Sequence, residues 1–171
     1  MIYSAFMREH AGTPEGAPPA MIGSLIALVL LCVVGGAASG LATPPDDWYW
    51  KLAKPSWTPP PWLFGPVWTL LYLMMGVSAW LLWRKRSLPA GRVAIALFFT
   101  QLALNFAWTP MFFGLHALGV AFAEIVVLWI AIAATIATGW WVHRLAAVML
   151  LPYFAWVSFA SALNFAIWRL N

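Results

Sequence analysis

The chain has 171 residues, of which 64% are hydrophobic and only 8% are charged, and its formal net charge is +4. A mean hydropathy of +0.85 leaves too few charges to solvate a globular surface, so the composition excludes an ordinary soluble domain. Four of the nine basic residues cluster at positions 84 to 92, as in a cytoplasmic loop, and nucleic acid is not an expected partner. The chain is therefore expected to reside in a bilayer.

The amino-terminal residues differ from the rest, because they contain charged side chains and three prolines but no long apolar run. We interpret residues 1–19 as a mobile, solvent-exposed lead and residues 20–171 as one membrane domain. A cleaved signal peptide is the alternative for the first apolar run. Its length suits a full span, however, and no convincing basic segment abuts it, so a retained helix is favoured.

Breaker residues and charges divide the membrane domain into five apolar spans, each close to the ~20 residues that cross a bilayer. They run over residues 20–42, 62–83, 92–113, 117–141 and 145–168. The predicted fold class is an all-α membrane protein, a five-transmembrane-helix bundle with a long Pro/Trp-rich loop between helices 1 and 2. Six basic residues flank the spans on the amino-terminal side and three on the other, which favours a cytoplasmic amino terminus.

The connection at 43–61, TPPDDWYWKLAKPSWTPPP, combines prolines with Trp48, Tyr49, Trp50 and Trp57. Proline lowers the entropy cost of a fixed path, and aromatic side chains give that path surfaces to pack on, as a lid over a ligand site would need. An anchor at headgroup depth is an equal alternative, because tryptophan and tyrosine are common there. The sequence leaves both interpretations open.

Thirteen tryptophans are too many for an interfacial belt alone, because several fall inside apolar spans where the indole N–H needs a partner. Helical spacing places aromatic and amide side chains on three inward faces. These faces are Gln101, Asn105 and Trp108 in the third span, Trp156, Ala160, Leu163 and Asn164 in the fifth, and Trp68, Tyr72 and Met75 in the second. The pattern predicts a buried, aromatic-lined ligand cavity, with amides that only link helices as the alternative.

Two intramembrane features outside this pattern have open interpretations. Glu124 is the one carboxylate inside a span, and without a basic partner on its own helix a structural or interface role is favoured over a proton relay. Gly36 to Gly40 form GxxxG, which allows close helix contact either in a dimer or within the bundle.

Three segments resemble a known family: WYWKLAKPSWTPPPWLFGPVWTLLY, QLALNFAWTPMFFG and LPYFAWVSFASALNFAIWRLN. They are similar to signatures of the TspO/MBR family, the tryptophan-rich sensory proteins of bacteria and the mitochondrial translocator protein, once called the peripheral benzodiazepine receptor. The resemblance runs in order through residues 21–171. It implies a five-helix bundle, commonly a homodimer, that binds protoporphyrin IX or haem, and in animal members cholesterol and isoquinoline or benzodiazepine drugs. It further implies a multi-pass integral membrane protein of bacterial origin that requires no cofactor and takes the porphyrin as ligand.

The resemblance also assigns ligand-binding residues. The matching positions are Tyr49 and Pro59 in the first loop, Phe64, Trp68 and Tyr72 at the second helix, Asn105 and Trp108 in the third, and Trp156, Ala160 and Leu163 in the fifth. Trp68 and Trp156 match tryptophans that photo-oxidative members use, which makes them the candidate catalytic residues, and no metal site is assigned. Tyr153 is not followed by a basic residue within five positions, so the fifth-helix cholesterol pattern is incomplete and sterol recognition is in doubt.

Three classes of function follow. We expect a tetrapyrrole-binding membrane protein that acts in porphyrin handling, transport or stress- and oxygen-linked regulation, with porphyrin, the bilayer, a second copy of the chain and a sterol or other lipid as partners. A slow light- and oxygen-dependent porphyrin-degrading enzyme is the alternative, in which light or an oxidant supplies the chemistry that no nucleophile, metal cluster or dinucleotide motif supplies here. A small-solute transporter or scaffold is disfavoured, since the sequence has no internal repeat and no paired intramembrane charges.

Overall fold

The computed structural model describes residues 19–171, so the lead predicted at 1–19 lies outside the described residues except for its last position. Five helices of the described part are long and apolar enough to cross a membrane. They are α1 (Pro19–Ala42), α3 (Phe64–Trp83), α4 (Pro89–Thr109), α5 (Leu118–Val142) and α6 (Arg144–Leu170), and a short helix, α2 (Asp47–Lys51), lies between α1 and α3. The predicted all-helical architecture with five spans is confirmed.

The short helix α2 was not predicted. Asp46 caps its amino terminus by accepting a hydrogen bond from the Tyr49 N–H at 3.2 Å. At its other end the Lys54 ammonium donates to the carbonyl oxygens of Tyr49 and Leu52 at 2.5 and 3.1 Å. A five-residue helix is unstable by itself, so these caps and the packing of its aromatic side chains on the bundle hold it in place.

The bundle packs α5 between α4 and α6, and α1 against α3. Small residues allow the close contact of α1 with α3, since a Cβ added at Gly76 would lie 2.5 Å from the Val29 Cα. The core contains the fully buried side chains of Phe98, Leu128 and Tyr153. Leucine and isoleucine side chains on the outer face of α1 remain exposed, and in a bilayer this face contacts lipid.

The end of α4 changes its helical geometry at Pro110. A π-helical turn over Pro110–Gly114 replaces the α-helix, and the Leu115 N–H donates to the Pro110 carbonyl at 2.9 Å. Proline has no N–H to continue an α-helix, and π-helical turns frequently lie at functional sites. Here the turn carries Phe112, which is buried against the bundle.

Candidate ligand cavity

A cavity of about 540 Å³ lies among the five spanning helices, beneath α2. This volume falls within the ~300–1,000 Å³ of typical small-molecule sites. Most of the predicted ligand-binding residues line it, namely Tyr49, Phe64, Trp68, Tyr72, Asn105, Trp108, Trp156, Ala160 and Leu163. Pro59 does not lie on the cavity wall and is half-buried in the connection that precedes α3.

One wall is formed by Trp108 and Asn164. The Trp108 indole N–H donates to the Asn164 side-chain oxygen at 3.1 Å, and the Asn164 amide nitrogen donates to the Leu118 carbonyl at 3.1 Å. Trp108 also stacks on Phe112, with ring centroids 4.9 Å apart. Asn164 therefore links α4, α5 and α6, and it also lines the cavity. Both interpretations of this amide, as a link between helices and as part of the cavity wall, are correct.

A second part of the cavity wall is formed by Tyr72 and Asn105. The Tyr72 hydroxyl donates to the Asn105 side-chain oxygen at 2.7 Å, which joins α3 to α4. Trp68 stacks on Tyr72 one turn away, with ring centroids 5.3 Å apart. These side chains give this wall two adjacent aromatic rings and an amide edge.

Trp156 lies on α6, where its ring contacts Phe64 and Phe159 at centroid distances of 5.8 and 5.5 Å. Its indole nitrogen is buried and has no hydrogen-bond partner among the described residues. Trp68 and Trp156 thus share one cavity, although they lie on different helices.

The residues Pro45, Tyr49 and Trp50 cover one end of the cavity. Tyr49 packs on Phe113 at a centroid distance of 5.1 Å, and burial raises the pKa of its hydroxyl, which stays protonated at neutral pH. The segment 43–61, which connects α1 to α3, is also attached to the carboxyl-terminal end of α6. The Asn171 side chain exchanges two hydrogen bonds of 3.0 Å with the Ala53 backbone.

A second contact of this connection involves His116, which follows the π-turn. Its imidazole stacks on Trp48 at 4.0 Å, and its Nε2 lies 3.2 Å from an Asp46 carboxylate oxygen. His116 has a φ of 54°, in the left-handed region that a non-glycine residue seldom adopts. The sequence reasoning missed this residue, because nothing in a single histidine after Gly114 and Leu115 indicates a partner 70 positions upstream.

Two residues of the predicted inward faces do not reach the cavity. Met75 and Gln101 are both fully buried, which confirms that they point inward, but they pack in the core beyond the cavity wall. Both polar atoms of the Gln101 amide have no hydrogen-bond partner among the described residues, so it does not link helices as the alternative interpretation required.

The cavity also has walls that the sequence reasoning missed. Phe112 lies four residues after Trp108, a spacing that could have indicated it. Ile125 and Leu128 come from α5, which is apolar apart from Glu124 and two threonines, so the spacing of its apolar residues does not identify the inward face. On α1, Gly36 leaves the space that the Tyr72 ring fills, because a Cβ there would collide with that ring.

The glycines of α1 offer a matched test of this wall. We expect Gly36→Ala to displace the Tyr72 ring, break its bond to Asn105 and destabilise the protein by about 1–3 kcal/mol, the usual cost of overpacking. Gly40→Ala is the control, because a Cβ at Gly40 meets nothing within 4 Å. The measurement is thermal unfolding in detergent, and equal midpoints for the two variants would contradict the proximity of Gly36 and Tyr72.

Five helices that are long and apolar enough to span a membrane surround an aromatic cavity, and together they define an integral membrane protein with an internal cavity. The model of the TspO/MBR family matches residues 28–169, and the chain belongs to this family.

Named relatives share most of their length with the chain. It is 45% identical to the tryptophan-rich protein TspO of Chlorobaculum tepidum over 147 residues, which cover 82% of this chain and 91% of the relative. It is 41% identical to the human translocator protein over 158 residues, 90% of each chain. It is 39% identical to the tryptophan-rich sensory protein of Cereibacter sphaeroides over 145 residues, 84% of this chain and 90% of the relative.

Proposed function

We propose that this protein binds a tetrapyrrole, protoporphyrin IX or haem, in the aromatic cavity and acts in porphyrin handling, transport or regulation. One observation carries the proposal: aromatic and amide side chains from α3, α4 and α6 meet on one internal cavity. Because the ligand of such a cavity must be apolar over most of its surface and flat enough to lie between aromatic rings, a tetrapyrrole macrocycle suits it.

The chemistry of the wall favours the macrocycle. Trp68 stacked on Tyr72 and Trp108 stacked on Phe112 offer aromatic faces, and Asn105 offers a polar edge. Histidine, cysteine and methionine are not among the described residues on the wall, and tyrosine is the one type of haem-iron ligand present, so recognition is expected to depend mainly on the ring system.

The acidic edge of a porphyrin would lie toward α2. No charged side chain is among the described residues of the wall, and a carboxylate inside the cavity would be left without a cationic partner. The ammonium of Lys54 lies 4.5 Å from the centroid of the Tyr49 ring, at the covered end of the cavity. We infer that the ligand enters with its ring first and keeps its carboxylates near this cation, whose positive charge attracts them even though its N–H groups donate to backbone carbonyls.

The connection around α2 would then act as a lid. Its packing on the cavity end, its two hydrogen bonds to Asn171 and its contacts with His116 support a lid rather than a simple interfacial anchor. The names of two relatives, a sensory protein and a translocator protein, support a regulatory or transport role.

A titration tests the proposed binding. Protoporphyrin IX added in the dark should quench the tryptophan emission of the purified protein in a saturable manner at micromolar concentration, because an acceptor ring would lie against several cavity tryptophans. Free tryptophan in the same detergent provides the control for optical absorption by the porphyrin. Unsaturable quenching equal to this control, in protein shown to be folded, would contradict a porphyrin site.

A second candidate function is the light- and oxygen-dependent degradation of bound porphyrin. The observation that favours it is the presence of both Trp68 and Trp156 on the cavity wall. An indole can donate an electron to a photo-excited porphyrin, and molecular oxygen would be the final electron acceptor. The reactive group therefore belongs to the ligand, and the protein contributes the electron donors and their positions.

Homodimer formation and sterol binding stay predictions.

A further inference from the structure

A groove lined by basic residues lies at the end of the bundle opposite α2. It has a volume of about 350 Å³, and we call it the basic groove. Its lining residues are Arg84 and Lys85, which follow α3, with Val142, His143, Arg144 and Leu145, where α5 passes into α6. The groove is separate from the aromatic cavity, because the two share no lining residue.

Short, tightly packed connections form both sides of the groove. On one side, the carbonyl of Lys85 packs directly on Gly91, where an added Cβ would collide with it, so the turn after α3 has little freedom. On the other side, the single residue His143 joins α5 to α6 in an extended conformation with φ −160° and ψ 98°. The basic side chains are therefore attached to well-defined backbone rather than to a long loop.

The cations of the groove have no anionic partner in the described part of the chain. Arg84, Lys85 and Arg144 take part in no described ion pair, and their side chains donate no described hydrogen bond to the protein. The described side-chain carboxylates lie elsewhere, with Asp46 and Asp47 at the amino-terminal end of α2 and Glu124 inside α5. Three neighbouring cations without a counter-ion repel one another and favour binding of an external anion.

Backbone donors add to this positive potential. No side chain caps the amino terminus of α6, and the first amides with a helical acceptor are those of Ala146 and Ala147, which both bond to the His143 carbonyl. The amino-terminal end of this 27-residue helix therefore presents free N–H groups beside the three cations. In addition, the Nδ1 of His143 is buried and has no hydrogen-bond partner among the described residues.

Aromatic residues indicate the depth of the groove in the membrane. The guanidinium groups of Arg84 and Arg144 lie over the rings of Trp80 and Trp140, 4.8 and 5.8 Å from the centroids. The neighbouring Trp141 is 86% exposed. Exposed tryptophans next to arginines are typical of the headgroup region, so the groove lies where lipid phosphates lie. Leu145, also exposed, gives the groove an apolar edge that a lipid chain can follow.

We propose that the basic groove binds the phosphate headgroup of an anionic phospholipid, with Arg84, Lys85 and Arg144 as the ligating cations. A free phosphate ion offers the same charged oxygens but gains nothing from the apolar edge or from the position at headgroup depth. The proposal does not depend on porphyrin binding, since neither the residues nor the ligand are shared.

The test measures lipid retention. The full-length protein is placed in phosphatidylcholine nanodiscs containing a minor fraction of phosphatidylglycerol, and the lipids that remain bound after release are counted by native mass spectrometry. We expect phosphatidylglycerol to be retained over phosphatidylcholine, and the Arg84→Gln, Lys85→Gln, Arg144→Gln triple variant to lose this preference by about fivefold or more, since headgroup binding rests on these charges.

The matched control is the Arg86→Gln, Arg92→Gln double variant. It removes two charges from the same end of the bundle but outside the groove, and Arg86 already donates to the Trp83 carbonyl. We expect it to keep the lipid preference of the parent. Circular dichroism and the thermal midpoint identify any variant that fails to fold, and in that case the single variants Arg84→Gln and Arg144→Gln replace the triple variant.

Two results would overturn the proposal. If the control lowers the preference for phosphatidylglycerol as much as the groove variant, general electrostatic attraction explains binding. If inorganic phosphate at millimolar concentration displaces the lipid, or binds equally well in its absence, the groove is a site for free anions. Retention that depends on the groove charges and resists inorganic phosphate supports a lipid headgroup site.

Discussion

Ala160→Phe is expected to lower the affinity for protoporphyrin IX by about tenfold or more, a loss of at least about 1.4 kcal/mol. Ala160 lines the aromatic cavity from α6, and a phenyl ring there would fill space that the ligand needs. Because the ring enters an existing cavity rather than a packed core, the bundle should remain folded. The measurement is the saturable quenching of tryptophan emission during a porphyrin titration in the dark.

The matched control is Ala162→Phe. Ala162 lies two residues further along α6, on the nearly opposite side of the helix, and it is exposed on the outer surface of the bundle. The same increase in side-chain volume there should leave porphyrin affinity unchanged. A porphyrin affinity that is unaltered by Ala160→Phe, or lowered equally by both substitutions, would contradict binding in the cavity.

The second large effect concerns chemistry rather than affinity. The Trp68→Phe, Trp156→Phe double variant should bind protoporphyrin IX nearly as well as the parent but should lose any distinct product formed in light and air. Phenylalanine keeps an aromatic face on the cavity wall, but it is much harder to oxidise than an indole. The two tryptophans share one cavity, so a single replacement is expected to remove most of the activity.

Absorbance and mass of the porphyrin after illumination measure this effect, with dark and protein-free samples as references. Trp140→Phe, Trp141→Phe is the control variant, because it removes two exposed tryptophans from the other end of the bundle. If the Trp68, Trp156 double variant forms product at the parental rate, the reaction is ordinary photobleaching and does not depend on these tryptophans. If the parent itself forms no distinct product, the protein is a binder without this activity.

The five spans could be predicted closely from the sequence, because the length of an apolar run and the positions of charges and breakers are local properties. The second predicted span, 62–83, corresponds to Pro61–Trp83, and the fourth, 117–141, to Leu118–Val142. The third begins earlier than predicted, at Pro89, because proline is well suited to the first turn of a helix and the basic Arg92 lies within that helix.

The inward faces of three helices could also be predicted. Helical spacing, together with the cost of exposing an amide or an indole N–H to lipid, predicts that Trp68, Asn105 and Trp156 face the interior of the bundle. All three lie on the cavity wall. That reasoning did not identify the contribution of α5, because apolar residues occur all around this helix and their spacing shows no clear period. Nor could it separate Gln101 from Asn105, because both point inward and only tertiary packing decides which of them reaches the cavity.

The tertiary contacts of α2 could not be predicted from the local sequence. Its caps involve Asp46 and Lys54, but its position depends on partners as distant as His116 and Asn171. Such partners can be recognised only once the chain has folded, since no periodicity relates a loop residue to a residue on another connection.

Fluorine NMR of protein labelled with 5-fluorotryptophan tests the central claim most directly, because each of the 13 tryptophans reports on its own surroundings. Single Trp→Phe replacements assign the signals, and protoporphyrin IX is added in the dark without oxygen. A flat aromatic ligand in the cavity should shift the signals of Trp68, Trp108 and Trp156 and leave those of Trp140 and Trp141 unchanged. Shifts at Trp140 and Trp141 with unchanged signals from the three cavity tryptophans would place the porphyrin on the outer surface and contradict the account.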